Sequence, residues 1–151
     1  MAVPLIEQVK IQARVLVPLV RALQAELGEE RANALVRKAI GPLFRQYGAA
    51  WWAEAAGDFE QVLSTSFRRF ASGDALDYQV VERTPDTFSV DVTGCRYAQF
   101  YRELSEPELG FLLTCSADFA LAEGFEGVEL TRTQTIMQGA DRCDFRFERK
   151  R

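Results

Sequence analysis

The chain has 151 residues, 48% hydrophobic and 26% charged, a composition that excludes disordered, collagenous and fibrous classes. Lys and Arg total 18 against 22 Asp and Glu, a formal net charge of -4, so neither nucleic acid nor an anionic membrane surface is expected as a partner. Histidine is absent, which removes the Ser-His-Asp triad, the Cys-His dyad, His-ligated metals and the usual near-neutral base. Chemistry is left to Cys, carboxylates, Tyr, Lys, Arg or a bound cofactor.

Apolar residues Ile6, Val9, Ala13, Leu16, Val20, Leu23 and Leu27 recur every three or four positions, which predicts an amphipathic helix with a bend at Pro18 and an end at Gly28. A second helix is expected from Glu29, with Ala32, Leu35, Val36, Ala39, Ile40, Leu43 and Phe44 on its buried stripe and a break near Gly48. A third is expected over 50–71, where Phe59, Val62, Leu63, Phe67 and Phe70 form an aromatic-rich face. After Ser72-Gly73-Asp74 the period changes to two. Leu76, Tyr78 and Val80 alternate with Asp77, Gln79 and Val81, then Thr84-Pro85-Asp86 turns the chain into Phe88, Val90 and Val92, a hairpin with one buried face.

Helical composition returns after Gly94, and Ser105 with Glu108 reads as a capping box that opens a longer helix closed by Gly124. Val128, Leu130 and Arg132, then Cys143, Phe145 and Phe147 beyond the turn at Gln138-Gly139-Ala140-Asp141, predict a second hairpin. The order predicts an α+β fold: N-terminal helices plus a small antiparallel sheet of two hairpins, covered by helices on one face. One domain is expected over 1–151, with residues 1–73 helical and 74–151 carrying the motifs.

Three widely spaced cysteines, Cys95, Cys115 and Cys143, make neither a disulfide framework nor a C-x-x-C pair, and read as free thiols of a cytoplasmic protein. Glu7, Lys10 and Arg14 interrupt the apolar N-terminal stretch, so no signal peptide or membrane span is expected there.

Chemistry-bearing residues gather on the later elements. Helical spacing puts Phe111, Cys115, Asp118 and Ala122 on one stripe, a thiol beside a carboxylate. Strand alternation sends Cys143 to the side of Phe145 and Phe147, and Arg132 inward after Val128 and Leu130. A guanidinium so placed wants Asp118 or an anionic ligand as partner. Cys95 stands where a strand hands over to a helix, a place where backbone N–H groups can lower a thiol's pKa. Each residue also has a plainer reading: thiols as small core packing, and Asp118 with Arg132 as a structural ion pair. Trp51-Trp52 reads as core or interface mass, Arg68-Arg69 as a solvated face and residues 148–151 as a frayed tail. The long N-terminal helices and the Trp pair are candidates for a homo-oligomer face. A thiolate zinc site has no familiar ligand spacing behind it, and no metal is expected.

The segments GCRYAQFYREL, ELGFLLTCSADFALAEGF and VELTRTQTIMQGADRCDFRF, together with ELGEERANALVRKAI, resemble the L-2-amino-thiazoline-4-carboxylic acid hydrolase family. More distantly, the element order is similar to the small-molecule-binding domain of bacteriochlorophyll 4-vinyl reductase and its relatives, at the level of fold only. The family resemblance implies motif positions at Cys95, Cys115, Asp118, Arg132, Thr133, Gly139 and Cys143. It implies opening of a cyclic amidine-like ring, without a cofactor, to N-carbamoyl-L-cysteine. On that reading Cys115, Asp118 and Cys143 are the catalytic candidates, with Cys115 the nucleophile and Asp118 the proton shuttle. Arg132 holds the substrate carboxylate, and Cys95 and Thr133 line the site. Attack by Cys95, or by water with Asp118 as base, fits the same residues, and so does a sensor that binds a small molecule without turnover.

Overall fold

The computed structural model describes residues 3–150, so Met1, Ala2 and Arg151, which end the N-terminal stretch and the tail considered above, lie outside the described residues. Helix α1 (Leu5–Leu27) runs through Pro18 and stops at Gly28, whose φ of +83° suits glycine. Helix α2 (Glu29–Glu54) continues through Gly48, where the sequence suggests a break. The reason is tertiary. A Cβ on Gly48 would lie 2.0 Å from the Leu121 carbonyl oxygen, and one on Gly124 would lie 2.4 Å from the Arg45 carbonyl oxygen. The two glycines let a pair of helix backbones touch, which outweighs the ~1 kcal/mol cost of glycine inside a helix.

Helix α3 (Phe59–Ala71) consequently starts later than residue 50. The left-handed turn at Ala56 and Gly57 ends α2, and the Asp58 side chain accepts a hydrogen bond from the Gln61 N–H to cap α3. Strands β1 (Leu76–Arg83) and β2 (Thr87–Cys95) form the first hairpin around Thr84-Pro85-Asp86. Cys95 caps helix α4 (Arg96–Glu103).

The capping box at Ser105 does not form. Ser105 takes a φ of +59°, and Glu106 is the residue before the helix. Pro107 occupies the first helical position, where its missing N–H costs nothing, and so moves the start along by one. The expected single helix is also interrupted. A short α5 (Pro107–Gly110) leads into a π turn over Phe111–Cys115, closed by the Ser116 N–H donating to the Phe111 carbonyl at 2.8 Å, before α6 (Ala117–Glu123).

Strand β3 (Val128–Thr131) and strand β4 (Cys143–Arg149) pair antiparallel, and β4 also pairs antiparallel with β2, giving the order β1-β2-β4-β3. Glu148 and Arg149 are therefore strand residues rather than a frayed tail, and the Arg149 N–H donates to the Asp86 carbonyl. The fold is α+β. Phe88, Val90, Val92 and Phe147 on the sheet meet Val62, Leu63 and Phe67 of α3 in the main core. The Trp pair packs inward, Trp51 edge-on to Phe70 at 5.8 Å and Trp52 stacked on Phe125 at 6.3 Å. No helix among the described residues is long and apolar enough to cross a membrane.

Candidate functional site

Between the helix-covered face of the sheet, α3, the π turn and α6 lies a cavity with about 80 Å³ open to the centres of water-sized molecules. At ~10–15 Å³ per water on that measure, it admits a compact solute of roughly half a dozen heavy atoms or a little more. Its wall is aromatic and aliphatic for the most part, with Phe67, Phe70, Phe145 and Phe147 at one side. Cys95, Cys115, Cys143, Asp118 and Arg132 all reach this wall from four separate stretches of chain.

Arg132 lies just past β3 with its side chain 3% exposed, and its Nη1 donates to Asp118 Oδ2 at 2.8 Å and to the Cys115 carbonyl at 3.1 Å. Its guanidinium sits between two rings, 4.9 Å from the centre of Phe119 and 5.4 Å from that of Phe145. Stacking fixes the plane of the fork, and the aromatic faces offset part of the cost of taking a cation out of water. Among the described residues, the hydrogen bonds of Arg132 all leave through Nη1. Nε and Nη2, the edge that grips carboxylates in two-point fashion, are not used by them.

Asp118 comes from the first turn of α6, and its side chain is 21% exposed. Burial pushes its carboxyl up to about 6, with Arg132 pulling the other way and only partly succeeding. A histidine-free chain thus carries a carboxyl that changes charge close to neutrality.

The thiols differ in their surroundings. Burial raises Cys115 well above the ordinary thiol value and Asp118 raises it further, with Arg132 offsetting part. Burial lifts Cys143 to about 11, although its sulfur accepts the Ile136 N–H at 3.2 Å. Cys95 is the N-cap of α4 and its sulfur accepts the Ala98 N–H at 3.4 Å, the arrangement expected to favour a thiolate. Burial outweighs that hydrogen bond, so the Cys95 pKa is raised rather than lowered.

The π turn alters the expected stripe. Inserting one residue into the helical repeat rotates every later position about the axis, so Cys115, Asp118 and Ala122 line the cavity together with Thr114, while Phe111 does not. Thr133 is off the wall as well. Its hydroxyl and backbone N–H both bond the Asp144 carboxylate, at 2.5 Å and 2.9 Å, and the wall position belongs to Thr135, whose hydroxyl donates to Gln138 Oε1 at 2.9 Å. Gly139 takes a φ of +104° at the end of the turn over Ile136–Gln138, a backbone role away from the cavity. Tyr97 also lines the cavity, its hydroxyl donating to the Phe70 carbonyl at 2.8 Å. Thr114 was hidden by the π turn, and nothing in the sequence around Tyr97 singles it out. Among the described residues no group of three or more Cys, Asp or Glu side chains is arranged to hold a metal ion.

An antiparallel sheet roofed by helices over a small apolar cavity, with one part-buried ion pair and three thiols on its wall, defines an α+β protein whose chemistry-bearing side chains gather in one place. A family model described as L-2-amino-thiazoline-4-carboxylic acid hydrolase matches residues 8–147. The chain belongs to that family, whose name is that of a hydrolase. No curated protein matches the chain.

Proposed function

We propose that this protein is a hydrolase of small zwitterionic cyclic amidines, and that its substrate is L-2-amino-thiazoline-4-carboxylate, opened to N-carbamoyl-L-cysteine. The observation that carries the reading is the Asp118–Arg132 pair on the wall of an otherwise apolar cavity, one anion and one cation held 2.8 Å apart. Such a substrate bears an amidinium and a carboxylate of its own. Its amidinium complements Asp118, and its carboxylate complements the Nε and Nη2 edge of Arg132, so both charges enter a low-dielectric site already paired.

Two attacking groups are open, a thiol and a water. The raised thiol pKa values favour water: Cys115, the most strongly raised of the three, gains its thiolate only at the expense of burial and of Asp118 beside it. In the water route Asp118 takes a proton as the water oxygen bonds to C2 of the amidinium, which leaves a neutral tetrahedral carbon. The C2–S bond then breaks as Asp118 returns that proton to the departing sulfur, and the hydroxyl proton leaves to solvent as the carbonyl forms, carrying off the charge of the amidinium. The net change is the addition of one water. Cys95, Cys115 and Cys143 contribute a polarisable, dry lining.

The test is to treat the purified protein with chelator, supply L-2-amino-thiazoline-4-carboxylate and follow N-carbamoyl-L-cysteine by mass spectrometry. Product over many equivalents of protein is the expected outcome. Saturable binding with no product would replace the hydrolase by a binding module.

A further inference from the structure

Helix α1 is apolar on two opposite sides. Ile6, Ala13 and Val20 face the molecule's own core and are buried. On the far side, Ile11, Val15 and Leu19 are 62%, 68% and 51% exposed. Gln8, Pro18, Ala22 and Ala25 are exposed with them. A second apolar stripe on a helix that already buries one points to a second neighbour, and the described residues place none against it.

The spacing of the outer side identifies the missing neighbour as another helix. Gln8, Ile11, Val15, Pro18, Ala22 and Ala25 keep to intervals of three and four, the a and d positions of a heptad, over ~26 Å of helix. Ile6, Ala13 and Val20 then fall at f, opposite the seam, so the helix keeps its own core on the side away from the second copy. We propose that a second copy of this chain packs there, α1 against α1, in parallel about a two-fold axis.

Charge selects both the partner and the direction. Flanking positions g and e hold Glu7, Arg14 and Arg21 on one side and Gln12, Leu19 and Glu26 on the other. In a parallel pair each g residue faces the e residue five positions on in the other copy. Arg21 then meets Glu26 of the second copy twice over, Arg14 lays its stem on Leu19, Glu7 meets Gln12, and no like charges oppose. An antiparallel pair would set Arg14 against Arg14. Within its own chain Arg21 holds Glu106 through Nε and Nη2 and Gln24 through Nη1, which leaves one N–H on each terminal nitrogen of a side chain 40% exposed for a second acceptor.

Sedimentation velocity of the intact chain tests this, with Val15→Glu as the variant. Val15 is exposed and far from the cavity, so folding, read by circular dichroism, should be unchanged. The wild type is expected to be a dimer at micromolar concentration, and the variant to weaken association at least ~10-fold. Val15→Cys decides direction: the a position lies at the axis of a parallel pair, so mild oxidation should give a cross-linked dimer. Wild type serves as control, its three thiols lying on the cavity wall. A monomer at ~100 μM, a dimer untouched by Val15→Glu, or a dimer that Val15→Cys does not cross-link would each overturn the proposal. So would a monomer that sediments with phosphatidylcholine–phosphatidylglycerol vesicles.

Discussion

Asp118→Asn tests the electrostatics of the cavity through stability as well as activity. The Asp118 carboxyl titrates at about 6 in the folded protein against an ordinary value of 3.8. The native state therefore holds this proton more tightly than the unfolded state does. Between those two pH values the native state binds more protons, and the linkage relation makes stability fall as pH rises through that window. Full ionisation costs the native state up to ~3 kcal/mol at 1.36 kcal/mol per pH unit of displacement. Asparagine cannot ionise, so the wild-type protein should lose about that much stability relative to Asp118→Asn between ~pH 3.5 and pH 7. Urea unfolding followed by tryptophan fluorescence reads this directly, because Trp51 and Trp52 leave the Phe70 and Phe125 rings on unfolding. Comparing the two proteins at each pH cancels the other carboxylates. The same ionisation should give the rate an acid limb near 6, absent together with activity in the variant. A wild-type-to-variant stability gap that is flat with pH, with no acid limb in the rate, would refute both the raised ionisation and the base role that depends on it.

The same geometry sets three further outcomes. Arg132→Gln should raise KM for the carboxylate substrate and destabilise the fold by ~1–2 kcal/mol at pH 7, since an Asp118 left without its cation takes a proton rather than stay charged; an unchanged KM in steady-state kinetics would take the carboxylate grip away from Arg132. Cys115→Ser should keep turnover within about tenfold if water is the attacking group, whereas loss of all activity together with trapping of a covalent adduct in the wild type would move the chemistry to the thiol. Gly48→Ala should abolish or severely reduce folding, because its new carbon would sit 2.0 Å from a backbone oxygen, while Gly41→Ala, whose nearest atom is a flexible arginine nitrogen at 3.6 Å, should be neutral or mildly stabilising by thermal melt.

Much of this protein is written locally. Period-two alternation sets which faces of β2 and β4 are buried, and the period near 3.6 finds the helices, because burying one side of an element imposes its repeat on the sequence. The same rule places Cys143 with Phe145 and Phe147, and puts Cys115 within a turn of Asp118. What it misses depends on residues distant along the chain. Gly48 reads as a break until Gly124 arrives against it. Pro107 and the π turn shift one helix by a residue, exchanging Phe111 for Thr114 on the cavity wall, and Thr133 yields its place to Thr135 because Asp144 holds its hydroxyl. Joining two hairpins through β2 and β4 brings Cys95, Cys115 and Cys143 around one space. The ionisation of those groups was beyond any local rule. Cys95 sits at a helix start that favours a thiolate, yet its pKa rises, because desolvation depends on everything packed around a group and a helix cap depends only on the next few residues.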